Sequence, residues 1–256
     1  MYYGQEPRKT TTQYSNVVPT KPTNYVKECF MIKATPITAP LSPITTMLNS
    51  LLEIKLPIHE TFQNTIQGEG YWTGILVDFI RLAGCPVGCS WCDTGYGNGG
   101  KNLPNELHTI RALLRELKSP RVVISGGEPF IHKNLPDLVK ALLEEGKEVS
   151  IETSGSHWQK VSDQAWITLS PKEHINPKYP VKEEFWTRAN EIKLVISTGE
   201  ELDFYRDKLA KIGDIPMYLQ PEWNVSQEII PVILELLKKH PSYRLSLQTH
   251  KFIGVQ

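Results

Sequence analysis

The sequence predicts an α/β fold, an incomplete and open parallel β/α barrel. Strand and helix signals alternate from Ile75 onward, and the strand segments are short apolar runs. Repeated strand–helix units imply a parallel sheet with right-handed crossovers. About seven strands in roughly 180 residues are too few for a closed eight-unit barrel, which takes about 250.

The elements follow in order. ILVDFIRL (75–82) reads as the first strand, and Leu107, Ile110, Leu114 and Leu117 have helical spacing. RVVIS (121–125) is a second strand, followed by a helix marked by Leu135, Leu138, Val139 and Leu142. VSIET (149–153), WITLS (166–170), EIKLVIS (191–197), MYLQP (217–221) and RLSLQ (244–248) continue the strand series. Ile229, Ile230, Ile233 and Leu237 mark a helix between the last two. In such sheets chemistry sits at the C-terminal ends of the strands. The distinctive residues of this chain fall there.

The 256 residues, 40% of them hydrophobic, suffice for one well-filled core or one core plus appendages. With 28 basic and 28 acidic residues there is no net field to recruit nucleic acid or an anionic membrane. No apolar run approaches the ~20 residues of a spanning helix, and no charged-then-apolar signal opens the chain. The cytoplasm is the expected compartment. Residues 1–50 are rich in Thr, Pro, Ser and Asn, and read as a disordered or dispensable tail ahead of a core domain at 51–256. Met47 is an alternative start that would remove Cys29, a free thiol without an evident role.

The first strand runs directly into GCPVGCSWC, so Cys85, Cys89 and Cys92 form Cys-x3-Cys-x2-Cys. Three thiolates on a tight loop hold three irons of a cubane 4Fe-4S cluster. The fourth iron is left open to a chelating amino acid such as S-adenosylmethionine (SAM). A structural zinc site is the competing reading, but zinc wants four closed ligands and no fourth is at hand. A redox Cys-x2-Cys leaves Cys85 unexplained.

This spacing after the first strand, with Trp91 just before the last cysteine, resembles the radical SAM enzymes. SGGEP (125–129) agrees, since that superfamily keeps a glycine-rich run there against the methionyl amino group. Gly126 and Gly127 expose backbone to a ligand, and Glu128 supplies a charge near the ammonium. Five further segments narrow the likeness: ETFQNTIQGEGYWTG (60–74), FIRLAGCPVGCSWCDT (79–94), SPK (170–172), QP (220–221) and QTHKFIG (248–254). Over nearly all of 57–256 the chain resembles the 7-carboxy-7-deazaguanine synthase family. That resemblance implies ring contraction of 6-carboxy-5,6,7,8-tetrahydropterin to 7-carboxy-7-deazaguanine with loss of ammonia, on the route to queuosine and other 7-deazapurines. It also implies SAM used catalytically, Mg²⁺, a homodimer and an electron donor such as flavodoxin.

Site residues carry over position by position. The resemblance implies Thr94 as a magnesium ligand, and Trp91, Cys92, Asp93, Gly127, Glu152, Ser170, Pro171, Lys172 and Gln220 as SAM contacts. It implies Ile66, Gln67, Gly68, Arg81, Ser125, His250 and the terminal Gln256 as pterin contacts. The residues make sense by themselves. Arg81 shares a strand face with Val77 and Phe79, and a buried guanidinium needs a carboxylate, from the pterin or from an internal Glu or Asp. Gln67 offers a two-sided amide to a pterin edge, although QGEG alone also reads as a turn. Ser170 and Lys172 read otherwise as a strand-end cap and a solvated lysine, Thr94 as a turn residue, and His250 with Lys251 as a surface tail or as groups facing the mouth. Two other functions compete: an activase that installs a glycyl radical on a partner protein, and a non-catalytic metal-binding module.

Overall fold

The computed structural model describes residues 49–98 and 103–255. Its strands are β1 (Lys55–Ile66), β2 (Leu76–Leu82), β3 (Glu106–Thr109), β4 (Arg121–Gly126), β5 (Glu148–Thr153), β6 (Trp166–Leu169), β7 (Glu191–Ile196), β8 (Met217–Pro221) and β9 (Arg244–Leu245). Helices are α1 (Ile110–Glu116), α2 (Leu135–Glu144), α3 (Glu183–Arg188), α4 (Glu201–Phe204), α5 (Arg206–Leu209), α6 (Ser226–Lys239) and α7 (Thr249–Ile253). The strands form a single sheet in the order β3-β1-β2-β4-β5-β6-β7-β8-β9, with β2 and β4 through β9 parallel. The sheet order is linear, so the barrel is open, as the strand count predicts.

Side-chain alternation along each strand divides the molecule into a dry layer and a polar lumen. On β7, Ile192, Leu194 and Ile196 join the main apolar core, which sends Glu191, Lys193 and Val195 to the opposite face. On β5, Val149 and Ile151 join the core, while Ser150 and Glu152 face inward. β8 repeats the rule, with Met217 and Leu219 in the core and Gln220 in the lumen. The apolar rows pack against Leu135, Leu138, Val139 and Leu142 of α2 and Ile229 and Ile233 of α6, all buried as the helical spacing predicts. Full burial of each such side chain contributes about 1.5–3 kcal/mol.

Two strands were not legible. β1 pairs antiparallel with both β2 and β3. Its register breaks between Ile58 and Glu60 and between Phe62 and Thr65, so Leu56 and Ile58 join the main core while Phe62, at the same parity, packs with Val77 and Phe79 on the other face. The described residues therefore hold nine strands rather than seven. Leu107 belongs to edge strand β3, where it is 66% exposed, and not to the helix expected from its spacing. That helix starts at Ile110, behind Thr109, whose hydroxyl accepts the Ala112 N–H. The strand expected at 244–248 stops at Leu245. Beyond it Ser246 and Gln248 serve as side-chain hydrogen-bond partners in the lumen.

Residues 1–48, with Cys29 and Met47, lie outside the described residues. Residues 49–52 are helical, and Leu51 and Leu52 pack against the core. Among the described residues no helix is long and apolar enough to cross a membrane.

Candidate active site

The loop after β2 carries Cys85, Cys89 and Cys92, all free thiols, into a cavity of about 200 Å³ at the C-terminal ends of the strands. Backbone contacts fix this loop against the end of β4. The Gly127 N–H donates to the Leu82 carbonyl at 2.9 Å, and the Glu128 N–H to that of Gly84 at 2.9 Å. A Cβ on Gly127 would stand 1.8 Å from the Gly84 oxygen, so the glycine is required by the cluster loop itself and not only by a ligand. On the far side the Asn176 amide donates to the Val87 carbonyl at 2.8 Å. Burial pushes the Cys85 thiol up to about 11, so a cation that takes its thiolate must displace a proton. Among the described residues, those lining this cavity include no histidine and no fourth cysteine. A closed tetrahedral zinc site is thus incomplete. The donor set fits three irons of a cubane and leaves the fourth open.

A second cavity of about 170 Å³ adjoins the first, lined by Phe62, Ile66, Gln67, Gly68, Arg81 and His250 among others. Both cavities touch Glu69, Asp93, Thr94, Ser125, Glu152 and Lys193, so they are two lobes of a single site with a shared wall. Gly68 is held close to the C-terminal helix: a Cβ there would meet the His250 ring at 2.0 Å. Thr249 anchors α7 to the Gly68 carbonyl through its N–H and its hydroxyl, each at 3.0 Å.

Charge in the shared wall is paired. Lys193 Nζ reaches Glu69 Oε2 at 2.5 Å and Glu152 Oε2 at 2.8 Å. Burial by itself pushes the Glu69 carboxyl up, but Lys193 beside it more than offsets this and holds it at about 2. Burial likewise disfavours the Lys193 ammonium, yet Glu152 and Glu69 raise its pKa above the ordinary lysine value. Glu191, deeper in the lumen, is raised by burial and then by Glu152, and accepts from the Thr168 hydroxyl and the Tyr71 N–H.

The expected SAM contacts Trp91, Cys92, Asp93, Gly127, Glu152, Ser170, Lys172 and Gln220 all line the cysteine lobe, while Pro171 lines neither. Ile66, Gln67, Gly68, Arg81 and His250 line the other lobe, with Ser125 and Thr94 in the shared wall. Gln256 lies outside the described residues.

Four side chains behave differently from a simple reading. Arg81 is one-quarter exposed and donates to Glu60 Oε1 at 2.8 Å, so an internal partner is already present. Its guanidinium also lies 5.1 Å from the centre of the Phe62 ring, which stacks on Phe79. Glu128 is not spare charge. Its carboxylate accepts from the Phe130 and Ser154 N–H groups and from the Thr153 and Ser154 hydroxyls, tying the β4 and β5 ends together. Lys172 is half-buried rather than solvated, donates to Ser170 Oγ at 2.6 Å, and lies 5.5 Å from the centre of the Trp91 ring. Lys251 bonds Gln248 and approaches Asp93 at 3.5 Å, which places it at the mouth.

Lys193 and Gln248 escaped sequence reasoning. A signal for Lys193 existed: in EIKLVIS the charged residues alternate with Ile192, Leu194 and Ile196. A lysine inside an otherwise buried strand implies a polar lumen with its own counter-charges.

Comparison with known proteins agrees with this geometry. The Radical SAM superfamily model matches residues 79–166. The 7-carboxy-7-deazaguanine synthase of Synechocystis sp. is 38% identical over 213 residues, covering 82% of this chain and 98% of that protein. Its counterpart from Escherichia coli K12 is 34% identical, covering 79% of this chain and 100% of that protein. The crystal structure of QueE from Escherichia coli superposes with a TM-score of 0.68 at 33% identity, covering 79% of this chain and 98% of that one. The three-cysteine lobe, the adjoining arginine lobe and these likenesses over nearly the full length of each relative converge: the chain belongs to the 7-carboxy-7-deazaguanine synthase family of the radical SAM superfamily.

Proposed function

We propose that this chain contracts the ring of 6-carboxy-5,6,7,8-tetrahydropterin to 7-carboxy-7-deazaguanine and ammonia, a step toward queuosine and related 7-deazapurines. The observation that carries the reading is the bipartite cavity, in which a three-thiol lobe and a guanidinium-bearing lobe share one wall. Cys85, Cys89 and Cys92 would hold a 4Fe-4S cluster that, with SAM, supplies a 5′-deoxyadenosyl radical for hydrogen abstraction and its return. The protein's task is then to bind, orient and exclude water.

In the first lobe Trp91, Cys92, Asp93, Gly127, Glu152, Ser170, Lys172 and Gln220 hold SAM, and Pro171 shapes the backbone between two of them. In the second lobe Ile66, Gln67 and Gly68 meet the pterin edge, Arg81 the carboxylate, and Ser125 and His250 the remaining polar groups. Gln256 completes this set. Thr94 is the proposed magnesium ligand. A cation near it is supported by Glu69 and Asp93 of the shared wall and His250 of the second lobe, which bring one donor atom each within 4.8 Å of one another. Magnesium takes few protein oxygens and shares substrate and water. A homodimer reduced by a flavodoxin-type donor follows from the resemblance, and the tail at 1–50 stands outside the catalytic core. The deciding test is anaerobic turnover of the reconstituted protein with the carboxy-tetrahydropterin, SAM and dithionite. Formation of 7-carboxy-7-deazaguanine supports the reading. SAM cleavage with no pterin product overturns it.

A further inference from the structure

Lys193 has no part in the assignments above, yet it touches both lobes. Its backbone lies on β7 between Ile192 and Leu194, both fully buried, so the ammonium stands on a rigid element. Its side chain is 6% exposed, and Glu69 and Glu152 are each 17% exposed. Each carboxylate uses its second oxygen elsewhere. Glu152 Oε1 accepts from Gln67 Nε2 at 3.0 Å, and Glu69 Oε1 from Gln248 Nε2 at 2.8 Å. Gln248 Nε2 also reaches Asp93 Oδ2 at 3.0 Å. The result is a continuous chain from Gln67, which lines only the pterin lobe, through Glu152, Lys193 and Glu69 in the shared wall, to Gln248, which lines only the SAM lobe, and on to Asp93.

One ammonium placed between two poorly exposed carboxylates offsets the charge of both at once, which neutral donors do not. Without the ammonium they repel, and each carries its glutamine with it. We propose that Lys193 is a positioning residue that fixes the two lobes against each other and so sets the register between the two bound molecules. The inference rests on the pterin and SAM assignment made under Proposed function. Hydrogen transfer needs reacting atoms in near contact, so a small shift lets SAM be consumed without forming product.

The test uses reconstituted wild type, Lys193→Met, Lys193→Arg and Glu69→Gln. Two quantities are read: product formed per 5′-deoxyadenosine released, and pterin affinity with and without SAM by equilibrium dialysis. Lys193→Met should lower the product ratio roughly tenfold or more and remove the effect of SAM on pterin affinity. Lys193→Arg keeps the charge and should recover part of both. Glu69→Gln, nearly isosteric, removes one of the two carboxylates and should move both readouts in the same direction with and without added Mg²⁺ alike, which separates the pairing with Lys193 from loss of a cation. It decides the matter if Lys193→Met fails to load iron. Unchanged ratio and unchanged coupling in Glu69→Gln, or in an iron-loaded Lys193→Met, would overturn the proposal. If the wild type itself makes no product, the assignment of the reaction fails instead, and that outcome is separately visible.

Discussion

Replacing Arg81 with alanine separates an internal ion pair from a substrate clamp. In the structure the guanidinium meets Glu60 at 2.8 Å, with side chains 25% and 29% exposed. A pair so open to water contributes about 0.2–1 kcal/mol, and the Phe62 contact at 5.1 Å adds roughly 0.5–1 kcal/mol. Their loss should lower the melting temperature by only a few degrees, at about 2–4 °C per kcal/mol for a domain of this size. A charge-assisted bond to a substrate carboxylate is worth about 1.5–3 kcal/mol, or about 10- to 150-fold in affinity. Arg81→Ala should therefore weaken the pterin far more than it destabilises the protein, with iron content and SAM binding kept. Arg81→Lys restores charge without the planar fork and should recover part of the loss. Glu60→Gln removes the competing partner and should leave pterin affinity equal or improved. The assay is a double cycle of wild type and Arg81→Ala against the substrate and an analogue lacking the carboxylate. If the two losses simply add, and Glu60→Gln melts as early as Arg81→Ala, then Arg81 belongs to Glu60 alone and the argument is wrong.

Alanine at any one of Cys85, Cys89 or Cys92 should abolish the cluster's visible absorbance and turnover, which iron analysis and an anaerobic assay will check. Gly127→Ala places a methyl group 1.8 Å from the Gly84 oxygen, so it should cost cluster loading although no ligand atom is removed; full iron content would show that the loop adapts. Deleting residues 1–46 removes none of the proposed site residues and should leave turnover per iron nearly unchanged. Burial holds the His174 imidazole at about 4, against an ordinary value of 6.5. A base depressed in the fold contributes stability that is whole above pH 6.5 and is lost as the pH falls toward 4. Urea midpoints should drop through that window in the wild type and drop less in His174→Asn.

The cluster was legible because its chemistry is local. Cys-x3-Cys-x2-Cys names its donors in eight consecutive residues, and parallel strand–helix periodicity says that such a loop opens at a sheet's functional end. Family likeness then carried the site residues to within a short distance of one another, and most of them line two joined cavities. What the sequence by itself determined is therefore the open barrel, the three-cysteine loop that opens at its functional end, and the strand ends that line the cavities. The antiparallel β1 stayed hidden because polar Glu60 and Asn64 interrupt its even-numbered apolar positions, and the register break then sends Phe62 to the opposite face from Leu56 and Ile58. Partners were hidden for a different reason: Arg81 meets Glu60 21 positions away, Lys193 meets Glu69 124 away, and Gln248 meets Glu69 179 away. Local pattern says that a charge on a buried strand needs a counter-charge, but only the closing of the sheet around its lumen selects which one, since pairing through space depends on register and curvature that no short window contains.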